Sequence, residues 1–202
     1  MAEGLRIERF SGRGVVPWIS AVARLRIAVF REYPYLYDGS LAYEQEYLKE
    51  LAGSERSVVV VALDGDEAAG ASTGMPLAEE PAELQRPFRE AGMDPAAVFY
   101  CAESVLLPAY RGRGLYPRFF AEREAHARAL GFAVSTFCAV ERPEDHPRRP
   151  SDYRPLDGIW KRLGYARRPD LRATISWKDL DEEAESPKPM VFWVKPLIAG
   201  AV

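Results

Sequence analysis

The chain has 202 residues, 48% hydrophobic and 28% charged, enough to fill one hydrophobic core and to fit a single domain over residues 1–202. A formal net charge of −3 and the lack of any long Lys/Arg block argue against a dedicated nucleic-acid binder. Cys101 and Cys138 sit inside apolar segments and read as buried thiols, and two histidines, His126 and His146, without clustered partners predict no metal site.

The N-terminus, Met1-Ala-Glu-Gly-Leu-Arg6, lacks an apolar signal core, and no run is long enough to span a bilayer. A cytoplasmic protein with no membrane partner is the expectation. Leu5 to Phe10 alternates apolar and charged residues, as a first strand does. Val15 to Phe30 reads as a helix with Trp18, Val22, Leu25 and Val29 on one face. Leu41 to Leu51 reads as a second helix, with Glu44 and Glu46 expected on its wet side. Between them runs an aromatic loop, Arg31 to Gly39, punctuated by Pro34 and Gly39. Ser57 to Leu63 is a β-branched strand, Asp64-Gly65-Asp66 a hairpin turn, and Ala68 to Met75 the returning strand.

A polar excursion follows, with a short helix expected over Leu84 to Ala91, and then a central strand over Val98 to Leu107. A helical pattern runs from about Leu115 to Leu130, and a further strand from Phe132 to Val140. Glu141 to Pro155, rich in Pro, Arg and Asp, reads as a loop. Leu156 to Leu163 is a short helix stopped by Gly164, and Leu171 to Trp177 and Met190 to Lys195 close the chain around an acidic loop, Asp179 to Glu185. The whole predicts an α/β protein with a central mixed sheet flanked by helices. The final strands offer an edge at which two copies could pair as a homodimer.

The central strand feeds a glycine-rich loop, Pro108-Ala-Tyr-Arg-Gly-Arg-Gly114, that opens a helix. Such a loop presents backbone N–H groups at the positive end of the helix dipole, where phosphate oxygens are held. Gly112 and Gly114 allow close approach and positive φ, and Arg111 and Arg113 add charge. No Gly-Lys-Ser/Thr follows, so it is not a Walker loop, and the three-glycine dinucleotide fingerprint is absent. A plain strand-to-helix turn has the same glycines.

The pattern Leu106-x-Pro108-x-x-Arg111-Gly112-x-Gly114 resembles the acetyl-CoA-binding signature of the GNAT superfamily of N-acyltransferases. The order of elements matches that family along nearly the full chain. The resemblance implies that Val105, Leu106 and Leu107 line the pantetheine arm of acetyl-CoA, and that Arg111, Gly112, Arg113, Gly114, Leu115 and Tyr116 wrap its pyrophosphate. The family's small residue two places after the last glycine is Tyr116 here, and Pro117 removes one N–H donor. Ile159-Trp-Lys-Arg-Leu-Gly-Tyr165 resembles the family's short helix, with Trp160 where the family often has a tyrosine.

Acyl transfer to an amine needs a base, because alkylamines have pKa values near ~10. It also needs a donor for the thioester oxygen, and a strand N–H between Val105 and Leu107 could supply one. Glu103 is the only acid inside the central strand and the first candidate base; a carboxylate facing an arginine or a solvent-filled cleft fits equally. Glu141 is the second candidate, or the start of a solvated loop. For the proton donor, Tyr153 lies just before the short helix, and Tyr116 nearer the cofactor loop. Tyr33, Tyr35, Tyr37 and Asp38 sit where the resemblance places acceptor contacts, and suit an apolar body with a cationic amine. They equally suit a loop anchored on the core. Arg142, Arg148, Arg149 and Arg154 could meet an anion or form a solvated face. The expected activity is transfer of an acetyl group from acetyl-CoA to a primary amine by direct attack. Its rivals are a non-catalytic acyl-CoA-binding module and a nucleotide-phosphate binder.

Overall fold

The structure is a computed structural model and describes residues 4–198. The first three residues of the N-terminal stretch read above, and residues 199–202, lie outside it. Strand β1 (Leu5–Phe10) leads into helices α1 (Ile19–Phe30) and α2 (Leu41–Gly53), then the hairpin β2 (Val58–Asp64) and β3 (Glu67–Pro76). Helix α3 (Ala82–Glu90), strand β4 (Val98–Leu106), helix α4 (Leu115–Ala129), strand β5 (Val134–Val140) and helix α5 (Asp157–Arg162) follow. Strands β6 (Ala166–Trp177) and β7 (Ser186–Pro196) close the chain.

The seven strands form one sheet in the order β1-β2-β3-β4-β5-β7-β6. Only β4 and β5 pair in parallel; every other neighbouring pair is antiparallel. Helices cover both faces, so β2 is buried on both sides and reads as an unbroken apolar run. Val59, Val61 and Leu63 pack under α1 and α2 with Val22, Leu25, Leu48 and Leu51. Val58, Val60 and Ala62 face the opposite way, towards Phe119 and Phe120 of α4. That alternation follows from the period of two along a strand.

Three expectations are corrected. The helix expected from Val15 begins as a 3-10 segment, Gly12–Trp18, and becomes α-helical only at Ile19. Pro17 lies inside that segment and has no N–H to give to an α-helical ladder. Glu44 is not on the wet side of α2: it is fully buried and ion-paired to Arg26 of α1. Strand β6 starts at Ala166 rather than Leu171, with a register shift between Arg168 and Arg172. Its Arg-Arg-Pro-Asp stretch has no apolar alternation, but an outermost strand tolerates proline and a bulge.

Two features of β4 shape the middle of the sheet. Its parallel ladder with β5 covers only Val98–Tyr100 against Val134–Thr136. Beyond that, β4 stays with β3 as far as Leu106, while β5 follows β7 as far as Val140. The two strands therefore separate into a wedge. At the point of separation the register against β3 shifts, with Tyr100 opposite Met75 but Glu103 opposite Thr73. Cys101 and Ala102 thus face the single residue Gly74, a bulge that bends β4 and re-aims its side chains.

Candidate active site

The wedge opens into a cavity of about 1450 Å³. Its walls are Cys101–Ser104 and Leu106 of β4, Phe137–Val140 of β5 with Glu141 just beyond it, Arg111, Gly112 and Gly114 of the loop, and side chains of α4 and α5. The Leu107 N–H donates to Ala69 O on β3 at 3.0 Å. By strand alternation the N–H groups of Leu106 and Ser104 therefore point the other way, to the edge that β5 has left. These are donors on the cavity wall with no strand to receive them.

The glycine loop meets the same cavity. Gly112 and Gly114 have φ of +73° and +77°, and the space where a Cβ would project is open at both. Gly114 is the N-cap of α4 and offers no side-chain acceptor, so the first-turn N–H groups are left without a cap. Arg111 does not hang free. It donates to Leu106 O at 3.1 Å and pairs with Glu32 at 2.8 Å, tying the loop to the end of α1. Arg113 lies over the Tyr110 ring at 5.2 Å. Val105 is fully buried on the α1 side of β4, and Leu115 is buried under the start of α4. Tyr116 lines the cavity, and its hydroxyl accepts the indole N–H of Trp160 at 2.9 Å. Burial raises its phenol pKa, and that indole bond draws it back down.

Glu103 lines the cavity with its side chain only 4% exposed, and its Oε2 lies 2.5 Å from Arg26 Nη1. Its Oε1 has no hydrogen-bond partner. Glu141 is held by Arg167 and Arg172 of β6. Tyr153 lies edge-on to Tyr33 with centroids 4.7 Å apart, both on the cavity wall, and burial raises its phenol pKa. Tyr35 also lines the cavity. Tyr37 and Asp38 are not among the lining residues: Tyr37 bridges to Asp179, and Asp38 pairs with Lys178 at 2.9 Å. The structure thus brings Tyr33, Tyr35, Tyr153, Glu103 and the loop together, and sets Tyr37 and Asp38 apart.

Arg142 is spoken for. It pairs with Asp179 at 2.8 Å and donates to the carbonyls of Pro34 and Tyr35, each at 2.8 Å, clamping the aromatic loop against the closing hairpin. Cys138 receives the Tyr100 hydroxyl's contact at 3.1 Å, and burial pushes its thiol up to about 12, so it is no nucleophile at neutral pH. Among the described residues no cluster of His, Cys, Asp or Glu could hold a metal ion, and no helix is long and apolar enough to cross a membrane.

Sequence reasoning missed Arg26, Glu80 and Arg123. Arg123 is 1% exposed and donates Nη1 to Thr73 O and Glu103 O, at 3.2 and 2.8 Å, pinning the bulge of β4. Both arginines had a signal: Arg26 follows Val22 by four residues, and Arg123 follows Phe119 by four, so each stands on the apolar stripe of its helix.

No protein-family model and no curated protein matches the chain. Solved structures do match its fold. A Desulfovibrio desulfuricans protein assigned to the GNAT family aligns over 96% of this chain and 99% of its own, at 14% identity and a TM-score of 0.58. A Salmonella typhimurium structure holding its cofactor acetyl-CoA aligns over 99% and 98%, at 11% identity and 0.58. The Drosophila melanogaster polyamine N-acetyltransferase that forms N-acetylagmatine aligns over 95% and 99%, at 14% identity and 0.58. The fold expected from the loop's resemblance to the GNAT superfamily is the fold this chain has.

Proposed function

We propose that the protein is an N-acetyltransferase that moves an acetyl group from acetyl-CoA to a primary amine by direct attack. One observation carries the reading: the wedge between β4 and β5 runs into the glycine loop at the start of α4. Unpaired donors of Ser104 and Leu106, an uncapped helix start and two positive-φ glycines with open space beside them suit a long polar arm ending in phosphates. Bound there, acetyl-CoA supplies the activated acyl group. Leu106 and the N–H groups of Ser104 and Leu106 hold the arm, whereas Val105 and Leu107, expected there from the sequence, pack on the α1 side of the sheet; Arg111 to Tyr116 hold the phosphates, with Arg113 nearest to free.

The chain's own groups then divide the work. Glu103 takes the proton that the amine must lose. The Leu106 and Ser104 N–H groups stabilise charge on the carbonyl oxygen. Tyr153, a phenol whose pKa burial raises, gives a proton to the departing sulfur. Tyr33 and Tyr35 line the acceptor's approach; Tyr37 and Asp38 support that loop from behind. Holding both partners in one wedge accounts for much of the rate.

A panel of amines assayed for free-thiol release tests the proposal. Release with at least one amine supports the transferase. Binding of acetyl-CoA with no release across polyamines, amino acids, aminoglycosides and peptide N-termini would favour the non-catalytic acyl-CoA-binding module, the reading that Trp160 and Tyr116 keep in play.

A further inference from the structure

The charged groups on the cavity wall divide into those with partners and those without. Glu103 is paired to Arg26 from the α1 side, Arg111 answers Glu32, Arg142 answers Asp179, and Arg167 answers Glu141. Glu80, which burial and then the charge of Glu103 push up to about 7, does not line the cavity. Arg149 lines it and is different. Among the described residues no carboxylate lies within 4.0 Å of its guanidinium, and no side-chain hydrogen bond uses it. Arg154, exposed on the same wall, is equally unpaired, and Arg148 reaches Asp181 only at 3.9 Å.

Arg149 is half-buried and held in place. Its guanidinium lies over the Tyr153 ring at 5.2 Å, and Tyr153 meets Tyr33 edge-on at 4.7 Å. Tyr33 is backed in turn by His146, whose Nδ1 accepts from the Arg148 N–H at 3.2 Å. The loop that carries Arg149 has Pro143, Pro147, Pro150 and Pro155, whose fixed φ angles reduce the freedom it loses on folding. Turns close inside it, with the Arg149 N–H on His146 O at 2.9 Å and the Tyr153 N–H on Pro150 O at 3.1 Å. A guanidinium fixed on a ring with its N–H donors unused suits an oxyanion, whose oxygens match its fork. The carboxylates on the same wall do not pair with it. Glu144 and Asp152 are exposed and screened by solvent, and Asp157 opens α5, where the helix start favours its charge.

We propose that the acceptor carries an oxyanion, a carboxylate or a phosphate monoester, at the end remote from its amine, and that Arg149 receives it at the cavity wall. The proposal deepens the function proposed above and rests on its reading of the cavity as the acceptor's place. In that reading the phosphates of acetyl-CoA belong to the glycine loop after β4, whereas Arg149 is carried by the loop after β5, beside Tyr33 and Tyr153. The stretch of acceptor between its charged end and its amine runs along Tyr33 and Tyr35.

The test reads binding, not turnover. The probes 5-aminopentanoate, 5-aminopentyl phosphate and 5-aminopentanol share a chain and an amine and differ only at the far end. Each is titrated by calorimetry at low salt, with and without saturating CoA, into the wild type, Arg149→Gln and Arg149→Lys. The wild type is expected to bind an oxyanion probe about tenfold tighter than the alcohol, the scale of one charge-assisted pair, and the tighter of the carboxylate and the phosphate names the group. Arg149→Gln removes the preference and leaves the alcohol's affinity unchanged. Arg149→Lys, which keeps the charge and loses the fork, retains a preference of about threefold. No preference in the wild type, or a preference that survives Arg149→Gln, overturns the proposal. CoA titrated into the same proteins keeps the readings apart. Equal CoA affinity in wild type and Arg149→Gln is expected; a loss would assign Arg149 to the cofactor's phosphates and overturn this inference alone. Failure of CoA to bind the wild type would overturn the acetyltransferase and leave the oxyanion preference standing.

Discussion

Glu103 joins two demands that rarely coincide: its side chain is almost wholly buried, yet it lines the cavity and leaves one oxygen unpaired. In its proposed role of proton acceptor it is replaceable by Gln only at a cost in rate. Glu103→Gln is expected to lower kcat about 100-fold near neutral pH while CoA affinity holds. The loss should shrink as pH approaches the amine's own pKa of ~10, where the amine loses its proton unaided; an equal loss at every pH in the rate profile would assign Glu103 a structural role. Glu80 makes a separate prediction about stability. Its folded-state pKa of about 7 lies above the usual carboxylate value. Below the unfolded value both states hold the proton and Glu80 is neutral in its effect. As pH rises towards 7 the unfolded chain loses the proton first, so folding grows less favourable. Glu80→Gln should therefore match wild type near pH 4 and be more stable at pH 8, by an amount on the order of 2–3 kcal/mol, in denaturant titrations. No pH dependence in the difference would contradict the buried, crowded setting. Neither the Arg26 pairing nor the Glu80 crowding was legible in the chain, because both depend on three segments distant in sequence meeting at one point. Only the place of Arg26 on the apolar stripe of α1 hinted at it.

The loop and helix start were legible because their chemistry is local. Pro108 ends a strand, two glycines take positive φ, and a helix begins, all within a few residues. Gly114→Val forces a β-branched residue into the left-handed region, where the strain is about 1–2 kcal/mol although no atom blocks the side chain. The melting temperature should fall by a few degrees and CoA affinity by about tenfold, since the first-turn N–H groups lose their alignment. Unchanged affinity would place the phosphates elsewhere. Arg113→Ala should weaken CoA binding a few-fold at low salt and hardly at all at high salt, as screening predicts. Arg111→Ala should cost stability as well, because Arg111 already bridges Glu32 and Leu106 O; an Arg111→Ala protein that melts with the wild type would refute that bridge. The bulge at Cys101–Ala102 was not legible: strand periodicity reads straight through it, and it is stabilised by Arg123, about two turns into α4.

The strands follow from alternation and turns that the chain displays openly, and the arrangement of helices on both faces follows from β2 being apolar on both, but the place of β7 between β5 and β6 does not. What periodicity does not carry is where neighbouring strands part. The wedge exists because β4 keeps to β3 while β5 keeps to β7, a competition settled by ladders on either side and not by the residues at the fork. It brings the loop, the unpaired strand donors and Glu103 around one space. The claim on which the proposed activity rests is that this space takes an acyl-CoA, and calorimetric titration of acetyl-CoA and CoA into the wild-type and Gly114→Val proteins tests it most directly. Binding of both ligands at one site per chain, weakened about tenfold by Gly114→Val, is the predicted result. The absence of binding to the wild type, or binding indifferent to Gly114→Val, would contradict it.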